Sequence, residues 1–275
     1  MIHKIKYLFW NNPLLRPVIN GCSWAKNYVL YQLKFAAGRS ARKSAPDYSR
    51  IATFRDIHKY ERCFILATGP SLTAEDVQKL KHEYTFGMNS ICLLFDTLGW
   101  ETTYYGIQDY GVYEKLQDKL RAMHDTTLFI GDGIPQAKRA GLAHIPYALN
   151  YLDHKHSYKH LSTKFSTDAK QCIYDGYTIT YSLMQLAVYM GFKEIYLLGN
   201  DCSYPKDPTK QHFMDYGHAD SSTLTARDRI IFAYEQAKQL LQDTDVKIYN
   251  ATRGGALEVF PRVDFDTIDF KKANS

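Results

Sequence analysis

Disulfide chemistry is the first thing this sequence lacks the means for. Its five cysteines, Cys22, Cys63, Cys92, Cys172 and Cys202, are scattered over 275 residues with no CxxC pair among them. An odd, dispersed set excludes a disulfide framework and fits a reducing compartment, so a cytoplasmic location is expected. No run reaches 18 apolar residues, and Asn11, Asn12, Pro13 and Pro17 interrupt the amino-terminal apolar positions that a signal peptide needs. A spanning helix and a secretory leader are both unsupported. There is no Gly-Lys-Ser/Thr loop, no GxGxxG and no GxSxG. P-loop ATP hydrolysis, dinucleotide binding and a serine-nucleophile elbow therefore lose their usual sequence support.

Acidic residues are missing altogether from residues 1–45, which carry Lys4, Lys6, Arg16, Lys26, Lys34, Arg39, Arg42 and Lys43. That segment contributes +8 and the remainder −3 to the formal net charge of +5. The basicity belongs to the leader, so the main domain offers no electrostatic footprint for nucleic acid. Ile2, Ile5, Leu8 and Phe9 recur at near-helical spacing in the leader's first half, and Trp24, Tyr28, Tyr31 and Phe35 form a stripe in its second. Aromatic stripes among cations suit the headgroup layer of an anionic bilayer, and residues 1–45 are expected to hold the protein peripherally on the inner face of the membrane. The competing readings are that these helices pack on the main domain, or on a partner protein.

Residues 46–275 read as a single α/β domain. Short apolar runs, "CFILATG", "YTFGMNS", "TTYYGIQD", "TTLFIGD", "KEIYLLGND" and "DVKIYNA", predict strands. "PSLTAEDVQKLKH", "YTITYSLMQLAVYMGF" and the span from Leu224 to Leu241 predict helices, the first with Thr73 as N-cap and Asp76 completing a capping box. This alternation specifies an open, Rossmann-like, mostly parallel sheet with flanking helices. Residues 133–170, rich in His, Lys and Tyr, read as a lid-like insertion, with an ordinary surface loop as the alternative. Its His154, His156 and His160 lack the Cys or carboxylate partners that would complete a metal site. No part of the pattern specifies an oligomeric state.

Open α/β sheets bind ligands beyond the carboxyl ends of their strands. The polar residues expected there are Thr68, Gly69 and Ser71; Asn89; Gln108 and Asp109; Asn200 and Asp201; and Asn250, Arg253, Gly254 and Gly255. Gly69 stands at a strand-to-helix turn, where a missing side chain lets a phosphate or ribose approach backbone N–H groups and the positive helix end. In "FMDYGHADSS", His218 has the chemistry to take a proton at neutral pH, with Asp215 and Asp220 near enough in sequence to tune it and Tyr216 able to bond a leaving phosphate. A plain loop histidine is the alternative.

"LATGPSL", "FGMNS", "YSLMQLAVYMGFKEIYLLGND" and the following "YGH" together resemble the bacterial sialyltransferase family that uses CMP-sialic acid. They also resemble a broader family similar to an archaeal hydroxymethylpterin pyrophosphokinase. The resemblance covers about residues 63–261. It implies that Gly69 and Ser71 form the nucleotide-binding turn, that Asn89 contacts a CMP donor, that Thr178 to Ser182, Thr180 included, lie beside the cytidine and donor phosphate, and that His218 is the general base. Tyr216 falls near the family's phosphate-contacting tyrosines. Two departures stand out: Thr68 replaces an asparagine, and Gly176-Tyr177-Thr178-Ile179-Thr180 replaces a segment that begins with arginine.

The expectation is a glycosyltransferase needing no metal or other cofactor. It would move a sugar, a nonulosonic acid or Kdo, from a CMP-linked nucleotide donor to a surface-polysaccharide or lipid-linked acceptor. Two alternatives remain. One is a Mg²⁺-dependent pyrophosphokinase, in which Asp109, Asp201 and Asp215 would converge on the metal. The other is a noncatalytic nucleotide- or glycan-binding protein.

Overall fold

The computed structural model describes residues 46–151, 163–203 and 223–272, together with 18, 21–22, 25–26, 28–33 and 35–36 of the leader. A seven-stranded sheet organises them: β1 (Arg62–Leu66), β2 (Tyr84–Met88), β3 (Tyr104–Ile107), β4 (Thr127–Gly131), β5 (Ile145–Tyr147), β8 (Glu194–Leu198) and β9 (Lys247–Asn250). They lie in the order β5-β4-β3-β2-β1-β8-β9, and every pairing is parallel. Two short strands, β6 (Leu149–Asn150) and β7 (Ile173–Tyr174), pair separately. This is the open Rossmann-like sheet the alternation predicts.

β1 shows why its residues form an inner strand. Cys63, Phe64, Ile65 and Leu66 have no exposure at all. Cys63 and Ile65 join the core that contains Leu183, Leu186 and Ala187, whereas Phe64 and Leu66 join the opposite core with Leu72, Val77 and Leu80. A strand covered on both faces reads as a continuous apolar run, as "CFIL" does. The helices that frame the site are α1 (Ala74–Gln78), α2 (Tyr110–Ala122), α3 (Ile179–Tyr189) and α4 (Thr223–Leu241). Among the described residues, no helix is long and apolar enough to cross a membrane.

Three details depart from the sequence reading. Thr73 does cap α1, accepting from the Asp76 N–H at 3.1 Å. The Asp76 carboxylate, however, bonds Arg253 at 2.9 Å instead of completing the box. A local partner lost to a long-range cation. Helix α2 occupies a stretch where no element was predicted; Val112, Tyr113, Leu116 and Leu120 bury one helical face, and Asp109 caps its start. Within 133–170, Ile145–Tyr147 is the edge strand of the main sheet, and residues 152–162, with all three histidines, lie outside the described residues.

At the amino-terminal edge of the sheet, His58 is buried between the rings of Phe192 at 4.5 Å and Tyr84 at 4.2 Å. Its Nε2 lies 2.5 Å from the Tyr104 hydroxyl. Burial is the main cause that lowers the His58 pKa, opposed by Glu61 and helped by Lys271. Burial also keeps the Tyr104 phenol protonated, so it donates to a neutral imidazole. A lowered folded pKa means that the unfolded chain takes up the proton first. His58 therefore contributes stability that is full above about pH 6.5, the unfolded value, and that is lost as pH falls through the lower folded value. Melting temperatures of the wild type and His58→Gln between pH 7.5 and 5.5 should converge toward acid. A constant gap would show that His58 titrates alike in both states.

Candidate active site at the switch point of the sheet

From β1 the chain builds β2 to β5 outward on one side and then returns to place β8 and β9 on the other. The switch point lies between β1 and β8, and ligands of such sheets bind in the crevice outside the carboxyl ends there. Continuing the register of Ile65 with Phe86 and of Leu66 with Leu198 brings Thr68 level with Asn89 on one neighbour and Asn200 on the other.

The centre of this edge is a cup formed by the two adjacent turns. The Gly69 N–H donates to the Gly199 carbonyl at 2.8 Å, stitching them together. The Ser71 hydroxyl donates to Asp201 Oδ2 at 2.8 Å, and the Ser71 N–H points to the same oxygen at 3.4 Å. A Cβ at Gly69 would sit 2.0 Å from Asp201 Oδ2 and 2.4 Å from the Gly199 oxygen. The glycine is thus required by protein packing, and the N–H groups of Gly69 and Ser71 already face protein acceptors. A carboxylate beside this turn repels an anion and accepts from hydroxyls, so the cup suits a ribose or sugar hydroxyl better than a phosphate. Burial raises the Asp201 pKa, and the Ser71 bonds oppose the rise.

The loop after β9 closes the cup from behind. Ala256 N–H donates to the Asp201 carbonyl at 2.6 Å, and a Cβ at Gly255 would come within 2.7 Å of that oxygen. Asn250 is fully buried and spends its amide on the Leu257 carbonyl at 2.7 Å and the Thr252 N–H at 3.0 Å. Arg253 is held by two carboxylates, Asp76 at 2.9 Å and Asp266 at 2.5 Å. Both residues hold the loop in place. Gly254 lies in the same loop with φ 64° and open space around it. Asn200 is buried, and its amide donates to the Tyr234 hydroxyl at 2.8 Å, which ties β8 to α4.

On the β2 side, Asn89 has φ 46°, and its carbonyl accepts from the Tyr105 hydroxyl. Its half-buried side-chain amide makes no hydrogen bond among the described residues. Thr178 caps α3 by accepting from the Thr180 N–H at 3.4 Å, and the Thr180 hydroxyl lies 3.6 Å from Met88 Sδ. The positive end of an 11-residue helix therefore opens beside the end of β2. Tyr177, one residue before the cap, has φ 65°, and the Arg229 guanidinium of α4 lies 5.9 Å over its ring with a buried Nε that has no hydrogen-bond partner among the described residues. Cys202 also has φ 50°, so among the described residues three of the five non-glycine residues with positive φ stand at this edge. Such conformations cost about 1–3 kcal/mol each and concentrate at functional sites.

Gln108 and Asp109 stand apart in role. Gln108 is buried, donating to Asp175 at 2.7 Å and accepting from the Tyr147 hydroxyl at 3.0 Å; Asp109 caps α2 through the Val112 N–H at 2.9 Å. Asp175, Tyr147, Tyr234 and Arg229 were not singled out from the sequence. Only Asp175, in the Asp-Gly turn before α3, carried a local signal. Burial pushes the Cys202 thiol up to about 12, so it is no nucleophile at neutral pH. Among the described residues no three of His, Cys, Asp and Glu come together to hold a metal ion. Tyr216 and His218 lie in residues 204–222, outside the described residues; the flanks of that segment are Ser203, two residues after Asp201, and Thr223, which opens α4.

No family model and no curated protein matches the chain. Among solved structures, the MAf glycosyltransferase from Magnetospirillum magneticum AMB-1 is similar over 82% of this chain, with a TM-score of 0.53 and 16% identity. The chain spans 39% of the length of that protein. The likeness is one of fold: this chain has an α/β architecture found in a glycosyltransferase.

Proposed function

We propose that the protein is a glycosyltransferase that uses a nucleotide-sugar donor and needs no metal. The observation that carries this reading is the pairing, across one switch point, of a hydroxyl-accepting cup with a cationic edge. Ser71 and Asp201 form the cup; the start of α3 and Arg229 form the edge. A nucleotide sugar presents both complements, hydroxyls on ribose and sugar and charge on its phosphate. Asn89, whose side-chain amide makes no hydrogen bond among the described residues, lies between the two, where it would bond the base or sugar. A groove of about 650 Å³, whose walls mix the charged Arg227, Asp228, Glu235 and Lys238 with Ile231 and Val259, adjoins the cup at Ala256 and offers room for an acceptor.

The donor class is a CMP-linked acidic sugar, a nonulosonic acid or Kdo, and the acceptor a hydroxyl of a surface polysaccharide or lipid-linked glycan. In the transfer step the acceptor oxygen attacks the anomeric carbon, the bond from that carbon to the donor phosphate oxygen breaks, and the acceptor proton passes to the His218 imidazole. Tyr216 donates to the departing phosphate. The sequence resemblance supports both assignments, and the segment holding them begins and ends at elements of the cup and cationic edge.

Incubating the purified chain with a panel of nucleotide sugars should release free nucleotide from one class only, with CMP released from a CMP-linked donor, and EDTA should leave the rate unchanged. Loss of turnover with EDTA, restored by Mg²⁺, together with saturable ATP binding, would replace this reading with pyrophosphoryl transfer.

A further inference from the structure

The leader shows two faces with opposite surroundings. On one, Phe35 is buried in a cluster with Ala148 and Cys172, and its ring lies 6.4 Å from that of Tyr31. The Tyr31 hydroxyl accepts from the Tyr151 N–H at 2.7 Å. These contacts seat the leader against the layer of β6 and β7. Residues 28–33 and 35–36 are helical, so positions three and four apart share a face. On the other face stand Val29, Leu30 and Leu33, each at least 44% exposed, and Lys26 is exposed as well.

We infer that this outward face is a docking surface for an anionic lipid bilayer, and that Tyr31 and Phe35 fix its orientation to the domain. Charge chooses the occupant. The first 45 residues hold eight Lys and Arg and no Asp or Glu, while the rest of the chain carries −3. Two copies meeting through this face would bring those cations together, whereas an anionic headgroup layer neutralises them as the valine and leucine side chains enter its acyl boundary. Packing on the domain and binding to a membrane are then not rival fates of the leader. They belong to its two sides. The inference does not depend on the chemistry at the switch point.

Flotation of the full chain with phosphatidylcholine vesicles, with and without phosphatidylglycerol, tests it. Binding should require the anionic lipid and weaken with salt. Val29→Glu with Leu33→Glu should reduce it about tenfold or more, and Leu30→Ser with Leu33→Ser should reduce it without any change of charge. Leu240→Glu, at an equally exposed leucine on α4, should have no effect. Melting curves should show all variants folded, because the substituted side chains face outward. Equal flotation by both double variants and the wild type would overturn the inference, as would a concentration-dependent dimer in sedimentation that Val29→Glu with Leu33→Glu abolishes.

Discussion

Replacing His218 with alanine should slow sugar transfer about 10²- to 10⁴-fold at saturating donor and acceptor, with donor affinity nearly unchanged. Position and chemistry both argue for it. His218 is five residues before Thr223 in a segment that leaves the site two residues after Asp201. From α4, Arg229 reaches the Tyr177 ring, so the helix that follows His218 already bears on the start of α3. The acceptor hydroxyl must lose a proton as its oxygen attacks, and imidazole is the side chain whose ordinary range, about 6.5, suits it to take a proton near neutral pH. His218→Asn should fail as badly as alanine, because an amide accepts a hydrogen bond but not a proton. The wild-type rate should fall as pH drops through the imidazole pKa, and His218→Ala should lose that limb. Single-turnover transfer paired with donor titration makes the measurement. Near-normal transfer by a folded variant would remove the histidine and leave Asp201, whose pKa burial raises, as the next candidate base.

The strands were legible because most are inner strands. "CFIL" is buried on both faces and "IYLL" nearly so, and such short apolar runs between turns read as strands, whereas the edge strand Ile145–Tyr147 carries too short a run to be read. Helix α2 was not, because its pattern mixes Val112, Tyr113, Leu116 and Leu120 with Glu114, Lys115, Gln117, Asp118, Lys119 and Arg121 and starts from an aspartate that also reads as a strand-end ligand. Asp109 carries one local signal for two different roles. At the candidate site, the strand ends were readable in the sequence, and Thr68, Asn89 and Asn200, named there from the sequence, are the residues that the sheet register brings level. The sequence could not separate residues that face a ligand from residues that hold the loops. Asn250 and Arg253 look like ligands in the sequence, and only the Leu257 carbonyl, Asp76 and Asp266, which the fold brings in, show where their polar groups are spent. The same is true of Gln108, whose partner Asp175 is 67 residues away.

Gly69 is the sharpest instance, and its replacement carries the largest expected effect on stability. Gly69→Ala should destabilise the fold by about 3 kcal/mol. The new Cβ would stand 2.0 Å from Asp201 Oδ2 and 2.4 Å from the Gly199 oxygen, and the second of these is backbone. Making room means parting the turns after β1 and β8, which breaks the bond from Gly69 N–H to Gly199 and strains the neighbouring one from Ala67 N–H to Leu198. Asp201→Ala alone should cost about 1 kcal/mol, because it leaves the Ser71 hydroxyl without its acceptor. Combining the two should be less damaging than their sum by about 1 kcal/mol, since the closest clash is gone, yet the double variant should stay below Asp201→Ala because the Gly199 carbonyl remains. Chemical denaturation of the four proteins reads this cycle directly. If Gly69→Ala keeps wild-type stability within about 0.5 kcal/mol and instead abolishes donor binding, the glycine serves the ligand's approach and the packing explanation is wrong.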